Sequence, residues 1–153
     1  MTDYSENNID RILELIAWNQ PEEAQRRGIA MAREVKCIKA FFQPGCYEYG
    51  KNVWDNCAVI ICRRSDEELK YYISDMLLWL EDLNWPGAER IQERLKQFRE
   101  ADILAMHLNH WVPALEKLGK TWWVSDIAEV LDNPNLKDYL KPETLQIMQA
   151  RHR

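Results

Sequence analysis

The segment from Ser65 to Phe98 constrains the fold more than any other part of the chain. Its first half has apolar residues at the spacing of one helix face, namely Leu69, Tyr72, Ile73, Met76, Leu77 and Leu80. Its second half repeats that spacing at Ala88, Ile91, Leu95 and Phe98. The corner Leu83–Gly87 between them contains Pro86, and proline suits a first helical position. The segment therefore predicts two helices joined as an αα-hairpin.

The first of these helices has a clear start signal. Ser65 and Glu68 have the spacing of a capping box, in which the serine hydroxyl accepts a backbone amide and the glutamate reaches back. Trp79 and Tyr71 lie off the apolar stripe, so we expect this helix to be covered on two sides.

Apolar spacing and prolines predict helices in the rest of the chain as well. They are expected at about 8–18, 21–41, 53–62, 102–118, 122–131 and 142–152, with a short helical piece at 136–140. Cys57–Cys62 could be a buried strand by composition. A helix is favoured, because Val53, Cys57, Ile60 and Ile61 keep the helical period and the neighbouring segments are helical. Pro113 is expected to kink its helix or split it near Asn109, and Gly119 is expected to end it.

Composition limits the function classes. The 153 residues are 46% hydrophobic with seven tryptophans and only five glycines, which favours a single folded all-α domain spanning 1–153. The net charge of −5 argues against generic attraction to nucleic acid or to anionic lipid. The start of the chain lacks the features of a signal peptide, and no apolar run is long enough for a membrane span. We therefore expect a cytoplasmic protein without a membrane segment.

The cysteines and histidines give little sign of chemistry. The four cysteines lack C-x-x-C spacing and are expected to be reduced, small, buried apolar residues; they are Cys37, Cys46, Cys57 and Cys62. His107 and His110 could share a helix face and bind a metal, but no third ligand lies at a suitable spacing. A hydrogen-bonded core histidine is the simpler interpretation of His107. The sequence predicts no metal site, no cofactor and no catalytic residues.

An internal similarity indicates how the helices are arranged. Asn19 and Pro21 match Asn84 and Pro86, each pair lying between the end of one apolar helix and the start of another. Helical hairpins with two apolar faces bury them by stacking. The sequence therefore predicts stacked antiparallel helical hairpins in a HEAT-like right-handed α-solenoid; a compact irregular bundle is the alternative.

The corner also carries a family resemblance. Residues 79–88 read WLEDLNWPGA and follow Glu67, Glu68, Leu69 and Ile73. They resemble an uncharacterised bacterial domain family with a WL-x-DLNWP corner, over about residues 50–131. The whole chain is more loosely similar to HEAT-like α-solenoids. That resemblance implies a role of the kind that small bacterial immunity or antidote proteins have, without catalytic residues.

Six residues are candidates for contact with a partner protein: Trp79, Asp82, Asn84, Trp85, Trp122 and Trp123. Tryptophan is common at binding hot spots, but it also fills cores. Asp82 and Asn84 could instead accept amides at the start of the next helix. Since adjacent residues of a helix cannot face the same core, either Trp122 or Trp123 should be partly exposed.

These patterns favour a non-enzymatic protein that binds another protein, with a toxin-immunity role as the specific version. The alternative is a HEAT-like nucleic-acid-binding or DNA-repair-type protein that uses two basic helix faces. The first face contains Arg26, Arg27, Arg33, Lys36 and Lys39, and the second contains Arg90, Arg94, Lys96 and Arg99. Acidic residues interleave with both, which favours ordinary solvated faces. A structural or regulatory module without a dedicated partner face is a third hypothesis.

Overall fold

A computed structural model describes residues 4–46 and 48–153, with side chains in the first helix described from Asn8 onward. Residues 1–3, which belong to the segment expected to lack a signal peptide, lie outside this description, as does Tyr47. The described residues form ten α-helices: α1 (Tyr4–Leu15), α2 (Glu22–Ala32), α3 (Gln43–Cys46), α4 (Trp54–Cys62), α5 (Asp66–Leu69), α6 (Ile73–Trp79), α7 (Ala88–Lys96), α8 (Ala101–Lys117), α9 (Thr121–Ala128) and α10 (Pro142–Arg151).

Short 3-10 helices connect several of these elements: Lys39–Phe41, Lys51–Val53, Lys70–Tyr72, Glu129–Asp132 and Lys137–Tyr139. Every regular element in the described part of the chain is helical, so the predicted all-α class is confirmed. The strand alternative at Cys57–Cys62 is excluded because this segment lies within α4.

The segment from Ser65 to Phe98 contributes two stripes of buried residues to the core. Ser65 caps α5, since its Oγ accepts the Glu68 amide at 3.2 Å. The predicted apolar stripes are fully buried except at the half-buried Tyr72. The first helix of the hairpin is not continuous, because a 3-10 turn at Lys70–Tyr72 separates α5 from α6.

Packing proceeds from one helix to the next along the chain. α1 packs on α2, α2 on α4, and α4 on α7. α7 in turn contacts the 3-10 turn Glu129–Asp132, while α8, α9 and α10 pack against one another. The main core cluster runs through these layers, from Ile12 in α1 to Met148 in α10.

The second helix ends earlier than predicted, at Ala32 instead of near Phe41. Arg64 gives the physical reason, because its Nη2 donates to the carbonyl oxygens of Ala32 at 2.6 Å and Val35 at 2.7 Å. A guanidinium from a distant part of the chain thus satisfies acceptors that a longer helix would have used internally.

The effect of Pro113 was also predicted wrongly in part. α8 is a single helix that contains Pro113, so the expected split near Asn109 does not occur. Both α9 and α10 pack against α8, which holds it in place as one helix. Gly119 ends α8 as predicted, with a φ of 77° and the hydrogen bonds of a Schellman motif.

Two of the four cysteines contradict the expectation of burial. Cys57 is buried and Cys62 half-buried, but Cys37 and Cys46 are exposed. Cys37 lies in the irregular segment after α2, and Cys46 is the last residue of the short α3, so neither belongs to a buried stripe. None of the described helices combines the length and the apolar character of a membrane span.

Candidate functional site

Backbone hydrogen bonds fix the corner between α6 and α7. Oδ1 of Asp82 accepts the Asn84 amide at 2.8 Å, which closes an Asx-type turn. The Trp85 amide donates to the Asp82 carbonyl at 3.0 Å, and the Ala88 amide donates to the Trp85 carbonyl at 3.1 Å. Asp82 therefore holds the corner itself and does not cap α7, whose N-cap is Gly87.

The indole rings of Trp54, Trp79 and Trp85 form a cluster that packs at this corner. Nε1 of Trp79 donates to the Pro86 carbonyl at 3.0 Å. The Trp54 ring meets the Trp79 ring edge-on at a centroid distance of 6.1 Å, and the Trp85 ring at 5.4 Å. Trp79 is fully buried, so it stabilises the corner and is not on a surface that a partner could contact.

Beside the corner lies an open cleft of about 560 Å³, here called the corner cleft, lined by residues 81–85, Trp122, Asp126 and Arg153. It brings together four of the six predicted contact residues, namely Asp82, Asn84, Trp85 and Trp122. The cleft combines aromatic surface with carboxylates, which is a suitable composition for binding a basic segment of another protein.

Of the two adjacent tryptophans of α9, one is partly exposed, as expected. Trp122 is 53% exposed and lines the corner cleft, whereas Trp123 is buried. Nε1 of Trp123 donates to the Leu77 carbonyl at 2.9 Å, and its ring meets Trp111 edge-on. Trp123 thus fixes α9 to α6 and lies beneath the surface that Trp122 presents.

Sequence reasoning missed Asp126, an acid on the buried side of α9. Its side chain is only 10% exposed and receives one hydrogen bond of 3.2 Å from Nη2 of Arg153. Burial, opposed by Arg153 and assisted by Asp82, raises the pKa of Asp126 to about 6. The available signal was its position three residues after Trp123, where an acid interrupts the apolar stripe of the helix.

The structure also groups potential metal ligands that the sequence did not. Among residues 4–46 and 48–153, ligand atoms of Glu129, Asp132 and His152 lie within 4.8 Å of one another. Nε2 of His152 is 2.8 Å from Asp132 and 3.2 Å from Glu129, and Lys96 lies 3.5 Å from Asp132. With a lysine already paired to one carboxylate, the cluster has the character of an ion-pair network.

The histidine pair singled out in the sequence lies outside that cluster. Nδ1 of His107 is 3.4 Å from Oγ of Ser74, which also accepts the indole N–H of Trp111 at 3.2 Å. Burial, with a smaller contribution from His110, lowers the pKa of His107. His107 is therefore a partly buried, hydrogen-bonded histidine in the packing of α8 on α6.

Three of the four thiols are not activated as nucleophiles. Burial raises the pKa of Cys57 far above its ordinary value and that of Cys62 to about 11. The pKa of Cys46 is also raised, by burial and by Glu48. These three thiols are protonated at neutral pH, the opposite of what a catalytic cysteine needs.

Comparison with known proteins gives a family without a function. The model of a domain of unknown function, DUF5071, matches residues 51–148, more than half of the chain. The match starts close to the expected position 50 and continues beyond the expected 131. No curated protein and no solved structure matches the chain. The corner, Trp122 and Asp126 lie within the matched residues, and the chain belongs to the DUF5071 family.

Proposed function

We propose that this protein is a non-enzymatic binding protein that holds a basic segment of another protein in the corner cleft. The observation that carries the proposal is the position of Trp122, which is half exposed and lines the same cleft as Trp85 and Asp126. An aromatic side chain held by a rigid helix, with polar groups around it, is the usual form of a protein-binding hot spot.

The charge of the cleft supports a basic partner. Glu81, Asp82 and Asp126 line it against one cation, Arg153. The net charge of the chain, −5, has the same sign. Complementary charge accelerates the association of a basic partner and disfavours acidic ones.

The proposal also includes the way in which the helices are stacked. A HEAT-like stack of antiparallel hairpins is supported by the order of contacts, α1 on α2, α2 on α4 and α4 on α7. A cytoplasmic antidote that covers a basic surface of a bacterial toxin is the specific role that this proposal includes. The exposed acids and aromatics would then be the surface through which it blocks that toxin.

Nucleic-acid binding remains the second hypothesis, and ion pairs count against it. Oδ1 of Asp55 lies 2.9 Å from Arg90, and Oδ1 of Asp66 lies 2.5 Å from Arg94. Lys96 is paired with Glu93 at 2.9 Å. Since these cations of α7 already have acidic partners, α7 offers little free positive charge to phosphates.

The experiment that tests protein binding is selection from a random peptide library displayed on phage. Selected peptides should be rich in Arg and Lys, and Trp122→Ala should weaken their binding at least tenfold. Trp18→Ala is a matched control, because Trp18 is 52% exposed and lies away from the cleft. Peptides that bind the Trp122 variant and the wild type equally would contradict the proposal.

A gel shift tests the second hypothesis. Random duplex DNA at low salt should not be retained by the protein, because the cations of α7 are paired and the net charge is negative. Retention that decreases as salt is added would favour the nucleic-acid function instead.

A further inference from the structure

The innermost charged group of the corner cleft is Asp126, whose side chain is 10% exposed. Its cation is Arg153, whose own side chain is 66% exposed. The pair therefore consists of a fixed, buried carboxylate and a guanidinium that reaches it from the solvent side. Such a guanidinium can leave without disturbing the core, whereas the carboxylate cannot move away.

Arg153 engages Asp126 less completely than Arg151 engages Glu116. It uses one nitrogen, Nη2, at 3.2 Å from Oδ1. Arg151 meets Glu116 through Nε at 3.3 Å and Nη2 at 2.6 Å, which is the two-bond geometry that a guanidinium and a carboxylate prefer. The Asp126 carboxylate is thus able to accept a better-placed guanidinium.

The surroundings of Asp126 favour such a replacement. Burial keeps the pKa of its carboxyl at about 6 in spite of Arg153, which means that the present cation does not offset the cost of burying the charge. Trp85 and Trp122 line the same cleft. Aromatic faces bind the planar guanidinium of arginine, in addition to its hydrogen bonds with a carboxylate.

We propose that the corner cleft recognises an arginine side chain of the partner protein, and that Arg153 occupies Asp126 until that arginine displaces it. This inference rests on the proposed function, because the arginine belongs to the bound protein segment. Arg153 lies outside the residues that match DUF5071, while Asp126 and Trp122 lie inside them. Arg153 therefore acts as an internal competitor, and removing it should make the site more available.

The test uses two small probes, N-acetyl-arginine amide and N-acetyl-lysine amide. Each is titrated into the wild type, Arg153→Ala and Asp126→Asn, and binding is followed by the NMR shifts of the tryptophan indole N–H groups. We expect Arg153→Ala to bind the arginine probe at least threefold more tightly than the wild type. Asp126→Asn should bind it at least tenfold more weakly, and the lysine probe should bind less tightly than the arginine probe.

Three results would overturn the inference: equal affinity of Arg153→Ala and the wild type, undiminished binding by Asp126→Asn, or equal binding of the two probes. If Asp126→Asn does not fold, the Arg153→Ala variant and the comparison of the two probes still test the arginine site. Selected peptides that need Trp122 but bind Arg153→Ala no better than the wild type would refute only the arginine site. A library without any peptide that depends on Trp122 would contradict the protein-binding function itself.

Discussion

The indole N–H of Trp123 donates a hydrogen bond of 2.9 Å to the carbonyl oxygen of Leu77. Leu77 lies near the end of α6, where the same carbonyl also accepts the Leu80 amide at 3.1 Å. The bond joins α9 to the helix that leads into the corner. It thereby fixes the position of Trp122, the preceding residue of α9, relative to Asp82 and Trp85, which line the same cleft.

Trp123→Phe should therefore destabilise the fold by about 1–3 kcal/mol, because it removes a buried hydrogen bond and part of a buried ring. Urea denaturation of both proteins measures the cost. Trp122→Phe is the control, because Trp122 is 53% exposed, and its cost should be below about 0.5 kcal/mol. Equal costs of the two substitutions would show that the Leu77 contact contributes nothing.

Leu77→Ala tests whether the stripe of α6 lies at the centre of the core. Leu77 is fully buried, so the truncation should leave a cavity and cost about 2–5 kcal/mol. Leu118→Ala makes the same chemical change at a residue that is 70% exposed, and it should change the free energy of unfolding little. A cost below about 0.5 kcal/mol for Leu77→Ala would show that α6 does not pack in this orientation.

Alanine substitutions at two glycines distinguish the cost of backbone strain from the cost of a steric clash. Gly87 and Gly119 both have positive φ, 87° and 77°. A Cβ at Gly87 would lie 2.6 Å from Cβ of Ala58 and 3.0 Å from the Trp54 carbonyl, whereas a Cβ at Gly119 would meet nothing within 4 Å.

Gly119→Ala should accordingly cost about 1 kcal/mol, from backbone strain alone. Gly87→Ala should cost about 1–3 kcal/mol more, since α4 or the corner has to move as well. Thermal and chemical denaturation of the two variants provide the comparison. A Gly87 variant no less stable than the Gly119 variant would mean that the corner is not held closely against α4.

Sequence patterns predicted the local elements of this fold well, because their causes are local. The apolar stripes on α6 and α7, the cap at Ser65 and the stop at Gly119 follow from residues a few positions apart. The bond from Trp123 to the Leu77 carbonyl could not be predicted, because it depends on where α6 lies relative to α9.

The features that sequence reasoning missed all depend on long-range contacts. Arg64 ends α2 by donating a hydrogen bond to the carbonyl of Ala32, which lies 32 positions away in the chain. Asp126 and Arg153 belong to one cleft only after α9 and the residues beyond α10 come together, at a separation of 27 positions. Four candidate contact residues share a cleft for the same reason, whereas Trp79 lies beneath the corner.

Asp126 also gives the protein a pH-dependent stability of predictable sign. Its pKa is about 6 in the folded protein, above the ordinary 3.8, chiefly because burial raises it, with Arg153 lowering it and Asp82 and Glu129 raising it further. The folded protein thus binds this proton more tightly than the unfolded chain does. The contribution of Asp126 to stability therefore falls as the pH rises from about 4 to about 6, and stays low above that range.

Asp126→Asn removes this titration, so the stability of the variant relative to the wild type should increase between pH 4 and pH 7. Urea denaturation at pH 4, 5, 6 and 7 measures the difference at each pH. Trp122→Phe changes no titratable group, and its difference from the wild type should stay constant over the same series. A constant difference for Asp126→Asn as well would mean that the Asp126 carboxyl has the same pKa in the folded and unfolded chains, contrary to its burial beneath Arg153.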